Sequence, residues 1–405
     1  MDDIIIIGAG IVGLATARAV LEREPEARIT IVEKADAVAT GQTGHNSGVI
    51  HAGIYYEPGS LKSELCRAGR LATIEFCEEN AVPIGRIGKL VVATDERERE
   101  RLDALAERSA ANGIEVERID AAEIGRREPN IRGVQAVFSP GTSIVDFGLV
   151  ARTMQARLEA AGVRLVFGAE VTSITEHGSA GAGAGPGEVR VRTADGAEHR
   201  AKRLVACAGL QADRIARLGG LPVDFRIVPF RGEYFELDGQ AGLVRHLIYP
   251  VPDPSMPFLG VHLSPTIDGR ITVGPNAVLG LAREGYPRGA MSAPDMFDYL
   301  RYPGFWRMAV RHRRAAAIEA RNSLFRRSYL AACRRYAPGL RLDDLGRRFA
   351  GVRAQAVRRD GSLVEDFLFE RTARQLHVCN APSPAATSAI PIGRLIAEQF
   401  AAGTR

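Results

Sequence analysis

The 405-residue chain has few cysteines, no Cys-x-x-Cys pair and no apolar run approaching the ~20 residues that cross a bilayer. Each shortage excludes a class of protein. The five cysteines, Cys66, Cys77, Cys207, Cys333 and Cys379, are odd in number, scattered, and far from any histidine-rich segment. Such spacing implies neither a disulfide framework nor a zinc or other metal site, and it suits a reducing cytosol. Met1-Asp2-Asp3 leads straight into Ile4-Ile5-Ile6-Ile7 without a basic leader or a small-residue cleavage pattern, so no signal or transit peptide is expected. A cytoplasmic protein follows, with any membrane attachment peripheral, on the cytoplasmic face of the inner membrane.

What is present is ordinary for a soluble globular chain: 46% hydrophobic and 25% charged residues, enough to bury a core divided over two domains. The net charge of +5 is unevenly placed. Between Arg301 and Arg348 thirteen arginines face Glu319, Asp343 and Asp344, a local balance of +10 that leaves −5 elsewhere. A block of this kind is usually a solvated helical face. Its functional readings are attraction of an acidic substrate and contact with an anionic membrane surface. Nucleic-acid binding calls for exposed aromatics interleaved with the basic residues. Phe305, Trp306, Phe325, Tyr329 and Tyr336 mostly fall at spacings that also suit a buried helix face, so a nucleic-acid partner is not expected.

The opening reads strand, glycine turn, helix, strand: Ile4 to Ile7, Gly8 to Gly13, an Ala/Leu-rich helix to about Arg23, then Ile29 to Glu33. Further along, helices are expected over 59–80, 95–112, 147–161 and 393–400, and strands over 88–94, 163–167, 171–176, 189–193, 203–209 and 376–379. The glycine-rich joint 178–187 reads as a loose surface loop. Residues 225–273 are repeatedly strand-like, and 295–336 are mainly helical. The implied fold class is α/β: a discontinuous Rossmann-like nucleotide-binding domain (1–85, 145–222 and 345–405) with a β-rich substrate domain (86–144 and 223–344) carrying the basic helices.

In the first turn Gly8 permits the tight bend, Gly10 lets the backbone approach a pyrophosphate, and Gly13 lets the helix press onto the strand. Glu33 ends the second strand twenty residues after Gly13, where a carboxylate accepts hydrogen bonds from a ribose. Strand, helix and acid together indicate dinucleotide binding; the spacing alone does not separate NAD from FAD.

The segments Thr43 to Tyr56 and Pro58 to Lys62 resemble the signature of the L-2-hydroxyglutarate dehydrogenases and oxidases, a family within the D-amino-acid-oxidase-like flavoproteins. The resemblance continues in Pro229 to Phe235, His246 to Pro254, Pro257 to His262, Val273 to Ala277, Ala350 to Gln355 and Asn380 to Pro391. It implies FAD as cofactor and oxidation of L-2-hydroxyglutarate to 2-oxoglutarate, with electrons passed to a quinone or to oxygen. A related 2-hydroxy acid, glycerol 3-phosphate or an amino acid as substrate remains open, because fold does not fix substrate.

For the cofactor the resemblance implies Gly8, Gly10, Gly13, Glu33 and Lys34 at the dinucleotide. It places Gln42, Thr43, His45, Asn46 and Ser47 on one side of the flavin ring, with Gly351, Pro384, Ala385, Ala386 and Thr387 on the other. Val171 is expected at the adenine and Gly209 at the pyrophosphate. A helix beginning after Pro391, or the turn just before it, would direct a positive dipole at the flavin. For the dicarboxylate, arginine gives bidentate contact. Arg353 is the first choice and Arg231 the second, the latter equally suited to an ion pair with Glu233. Tyr55, Tyr56 and Tyr249 are candidates for phenolic hydrogen bonds. Histidine suits removal of the hydroxyl proton at neutral pH. His51 is preferred as base and His262 follows, with His246, His45 and His377 weaker.

Overall fold

A computed structural model describes residues 1–178, 187–254 and 259–402. Most of the glycine-rich joint, and Pro257 and Phe258 of the signature segments, lie outside the described residues. Two large sheets organise the chain. In the first, β1 (Asp2–Ile7) runs parallel to β2 (Ile29–Val32) on one side and to Glu198–Ala206 on the other, with α1 (Ile11–Arg23) as the crossover. A parallel strand covered on both faces needs apolar side chains along its whole length, and Ile4 to Ile7 supply them. Arg164–Val166 extends the sheet beyond β2, Gln375–Asn380 extends it in parallel beyond Glu198–Ala206, and the hairpin Val171–His177 with Glu188–Thr193 closes one edge. The strand expected from Arg203 begins five residues earlier. Its first half pairs with the hairpin and its last three residues pair with Gln375–His377.

Helices α1, Phe147–Ala160 and Ala389–Ala402 cover one face of this sheet. The last begins at Ala389, not after Pro391. Pro391 falls in its first turn, where a missing N–H leaves no helical bond unmade. The crossing of this helix with α1 is close: a Cβ on Gly393 would stand 2.4 Å from the Ala15 carbonyl oxygen.

Among the described residues the second sheet has nine strands. The region 225–273 contributes four of them among the described residues, Phe225–Leu237, Leu247–Pro250, His262–Pro265 and Ile271–Gly274. Lys89–Ala93 lies parallel to Leu247–Pro250. Leu345–Arg358 pairs antiparallel with Phe225–Leu237 along nearly its whole length. A boundary at 345 groups this strand with the nucleotide-binding segments, but its pairing carries it into the second sheet. Residues 295–336 form the four helices Ala293–Leu300, Pro303–Arg311, Arg313–Leu324 and Arg326–Arg334. Tyr329, Leu330, Cys333 and Tyr336 bury against the outer face of the second sheet.

Leucine at position 393 forces helix against helix where the obstacle is backbone, so no rotamer relieves the overlap. Gly393→Leu is expected to lower stability by about 1–3 kcal/mol. It should also displace the N-terminus of α1, so flavin is released at a lower temperature, read by flavin fluorescence during heating. An unchanged release temperature would show that the helix crossing does not support the nucleotide turn.

Candidate active site

Between the two sheets lies a cavity of about 1430 Å³, larger than a pocket for one small ligand and suited to a dinucleotide with a substrate beside it. Its wall includes Gly8, Gly10, Glu33, Lys34, Val171 and Gly209 at one end. Gln42, Thr43, His45, Asn46, Ser47, Gly351 and Pro384 to Thr387 form the middle, and His51, Tyr55, Tyr56 and Arg353 also line it. Gly13 stays outside: its Cβ would meet the Gly8 carbonyl oxygen at 2.0 Å, so its role is close packing. Gly10 is different, because a Cβ there meets only the Thr43 hydroxyl, at 3.4 Å. The Thr43 hydroxyl accepts the first helical N–H, from Ile11, at 3.0 Å, and no carboxylate stands in the first turn of α1 to repel a phosphate. The Glu33 carboxylate accepts from Ala9 N at 2.7 Å and from Ala35 N at 2.9 Å, which ties the turn to the end of β2 and leaves lone pairs for a ribose.

The middle of the cavity is held by short polar links. Gln42 Nε2 donates to the Val352 carbonyl at 3.1 Å, and Asn46 caps its own loop, accepting from Gly48 N and donating to the Thr43 carbonyl. Gly351 is required where its strand passes the loop, since a Cβ would lie 2.4 Å from the His45 carbonyl oxygen. On the other side Thr387 Oγ1 donates to the Val49 carbonyl and accepts from His51 N, both at 3.2 Å, fixing the C-terminal turn to the signature segment. These features fit a flavin dinucleotide laid from the α1 turn to the 384–387 turn. Lys34, at the dinucleotide end, pairs with Glu284, and His45 stacks on Tyr286 with ring centroids 3.8 Å apart.

Sheet geometry separates the two arginines proposed for substrate. In the antiparallel pair Arg353 stands opposite Phe230 and Arg231 opposite Val352. Residues directly opposite share a face and successive residues alternate, so Gly232, Tyr234, Gly351 and Arg353 face the cavity. Arg231 turns the other way: it donates to the carbonyls of Gly285, Tyr286 and Pro287 and lies 3.5 Å from Glu233. It is a structural clamp and not a cavity residue, which corrects its assignment to substrate. Tyr249 and His262 share the cavity-facing side of the sheet but stand behind the wall, stacked on each other at 3.8 Å. His246 is tied to the buried Glu128 at 2.6 Å and His377 to Gln375 at 3.0 Å, which gives both structural roles.

Burial dominates the electrostatics. It pushes the His51 imidazole well below its ordinary value, with the nearby Lys89, His262 and Arg353 charges acting in the same direction. His262 falls to about 3 for the same first reason, although the Gly260 carbonyl opposes it. Burial raises the Tyr55 and Tyr56 phenols well above their ordinary range. The pocket therefore holds neutral imidazoles and neutral phenols, so the former accept protons and the latter donate hydrogen bonds.

Three residues in or behind this wall carried no expected role. Tyr234 lines the cavity, Lys62 lines it with its ammonium 5.2 Å from the Tyr56 ring, and Lys89 sits buried behind it. The signal for Lys89 was a lysine opening the apolar strand Leu90-Val91-Val92-Ala93. Arg311 and His312 bring the basic helices to the same cavity.

A glycine turn at the start of α1, a cavity long enough for a dinucleotide, and a neutral histidine with an arginine at its far end define a flavin-dependent oxidoreductase site. A family model described as FAD dependent oxidoreductase matches residues 3–399. An L-2-hydroxyglutarate dehydrogenase of Salmonella houtenae is 49% identical, covering 99% of this chain and 94% of its own. The mitochondrial L-2-hydroxyglutarate dehydrogenase of Homo sapiens is 42% identical, covering 98% and 88%. Among solved structures, an FAD-bound L-α-glycerophosphate oxidase of Mycoplasma pneumoniae superposes with a TM-score of 0.79 at 24% identity, covering 99% of this chain and 94% of that one. A glycine oxidase of Geobacillus kaustophilus superposes with a TM-score of 0.72 at 18% identity, covering 99% and 95%, so these two speak for the fold alone. The chain belongs to the FAD-dependent oxidoreductases and, within them, to the family of the L-2-hydroxyglutarate dehydrogenases.

The purified protein is expected to be yellow. Because position 10 is open to the cavity and not to the fold, Gly10→Val should keep its far-ultraviolet circular dichroism and lose bound FAD. Retention of a full flavin absorbance in that variant would remove Gly10 from the pyrophosphate contact.

Proposed function

We propose that the protein oxidises L-2-hydroxyglutarate to 2-oxoglutarate. The observation that carries the reading is the similarity to L-2-hydroxyglutarate dehydrogenases over nearly the whole of both chains, supported by a cavity lined by both Arg353 and a half-buried, neutral histidine. When bound, FAD supplies the acceptor for the hydride that leaves the hydroxyl-bearing carbon. Gly8, Gly10 and the N-terminus of α1 would hold the pyrophosphate, with Gly209 beside it. Glu33 and Lys34 would hold the ribose end and Val171 the adenine. The stretches 42–47 and 384–387, with Gly351, would hold the flavin through backbone groups.

On the substrate side, Arg353 grips the carboxylate next to the reacting carbon through its planar fork. His51 takes the hydroxyl proton, and the phenols of Tyr55 and Tyr56 donate hydrogen bonds to carboxylate oxygens. Tyr249 and His262, stacked behind the wall, support them. Because burial lowers the His51 pKa, its proton-accepting form is present throughout the neutral range and into weakly acidic solution.

L-2-hydroxyglutarate should bleach the flavin anaerobically, and the D-enantiomer, glycerol 3-phosphate and amino acids should not. The rate should stay level as pH falls from 8 to below 6.5, the ordinary histidine value. His51→Ala should slow reduction by about 10²-fold or more while changing substrate affinity little. Equal bleaching by glycerol 3-phosphate would sink the substrate assignment, and an unslowed His51→Ala enzyme would move the base to another residue.

For the electrons we propose a membrane quinone, reached from the cytoplasmic side, in preference to oxygen. Trp306, Val310, Ile318, Leu324 and Phe325 are more than half exposed on the basic helices. Apolar side chains among arginines are the composition of a surface that rests on an anionic bilayer. Phe305, Tyr329 and Tyr336 are buried, and Arg307, Arg326, Arg334, Arg335 and Arg348 are tied to internal acceptors, so only part of the block is free for this. At low salt the protein should co-sediment with anionic but not neutral liposomes and turn over faster with a short-chain quinone than with oxygen. Failure of both measurements leaves the helices as a solvated face.

A further inference from the structure

Several strands of the second sheet turn one face toward the cavity, and Lys89 is a buried cation carried on that face. It stands opposite Leu247, two residues before Tyr249, and opposite Ser139, which places it on the cavity-facing side. The residue is 1% exposed. Its ammonium lies 4.5 Å from the centroid of the Tyr249 ring and 4.9 Å from that of Tyr55. Among the described residues no carboxylate pairs with it and no acceptor takes its hydrogen bonds. The titratable groups around it are the Cys66 thiol, which burial holds in its protonated form, and the imidazoles of His51 and His262.

Two aromatic faces do not replace the hydration of a buried ammonium, so this arrangement costs stability unless an anion completes it. Only Tyr55 of the two rings lines the cavity, and its hydroxyl is buried without a hydrogen-bond partner. We propose that Lys89 is a positioning and specificity-determining residue: through Tyr55 it supplies the counter-charge for the second carboxylate of a dicarboxylate substrate, the one remote from the reacting carbon. Arg353 holds the first. A cation against the ring makes the Tyr55 hydroxyl a stronger donor, and the low-dielectric setting lets the charge act without direct contact. A monocarboxylate with an apolar tail leaves this charge uncompensated and is discriminated against on that ground. The inference rests on the dicarboxylate reading of the site given above.

The test uses flavin-loaded enzyme and two non-oxidisable probes, glutarate with two carboxylates and butyrate with one, with affinities measured by calorimetry. In Lys89→Met the glutarate affinity should fall about tenfold or more while butyrate changes less than about twofold. The loss with L-2-hydroxyglutarate should appear in KM more than in kcat, and Lys89→Arg should recover part of it. The melting temperature of Lys89→Met should not fall, since an apolar side chain replaces an uncompensated charge. In the wild type, burial brings the Lys89 pKa down to about 8, so glutarate binding should weaken above that pH and butyrate binding should not. Equal losses for both probes, or no loss for either, would overturn the assignment. If Lys89→Met fails to retain flavin, the wild-type pH comparison decides, and a glutarate affinity that stays level above pH 8 overturns it. Failure of any dicarboxylate to bind the wild type would instead overturn the proposed substrate.

Discussion

The antiparallel pairing of Phe225–Leu237 with Leu345–Arg358 is the constraint on which the site depends. It joins segments more than a hundred residues apart and fixes, through the two-residue period of a strand, which side chains see the cavity. Arg353, Gly351, Gly232 and Tyr234 face inward because they occupy matching positions in the ladder; a one-residue slip of Leu345–Arg358 would send Arg353 outward. The bare glycine at 351 then lets the 41–46 loop lie against the sheet, and the one at 232 leaves room for Pro275. The Gln42 to Val352 link holds the loop there.

Burial turns that geometry into chemistry. The groups beside Arg353 are driven to their neutral forms, imidazoles downward and phenols upward. A region with neutral acceptors, neutral donors and an excess of positive charge favours an anionic ligand that gives up a proton. The same physics runs in reverse at Glu233. Burial opposes its charge, but hydrogen bonds from Ser323 and Asn276 and the Arg348 cation outweigh that cost and hold its carboxyl below the ordinary value. Glu233 thereby anchors the basic helices to the sheet from the face opposite the cavity.

The arginine-rich helices show how one charge block divides its work. Part of it is internal: Arg348 closes on Glu233, and Arg335 on Glu98. Just before the helices, the buried Arg283 closes on Asp213 and Asp298, joining them to the nucleotide-binding half. Part reaches the cavity through Arg311, and part stands outside with exposed apolar neighbours. No single function accounts for the count of thirteen.

The local pattern of the chain determined the nucleotide half. Four isoleucines, the Gly8 to Gly13 turn and Glu33 specify a βαβ unit because each acts within about thirty residues, where propensity, turn sterics and burial agree. The segments shared with the L-2-hydroxyglutarate dehydrogenases added the candidate residues around the flavin, His51 and Arg353. What the sequence could not decide was the direction in which side chains on paired strands point, because strand register is a contact between distant segments. Arg231 and Arg353 read alike as cations near glycines, and only the ladder separates them. His262, ahead of His246 and His377, was a candidate base on sequence, and only their partners assign the last two to the framework and the first to a stack behind the wall. In the sequence Lys89 is only a lysine opening an apolar strand. The tertiary structure alone reveals that the apolar strand delivers a buried charge to the back of the site.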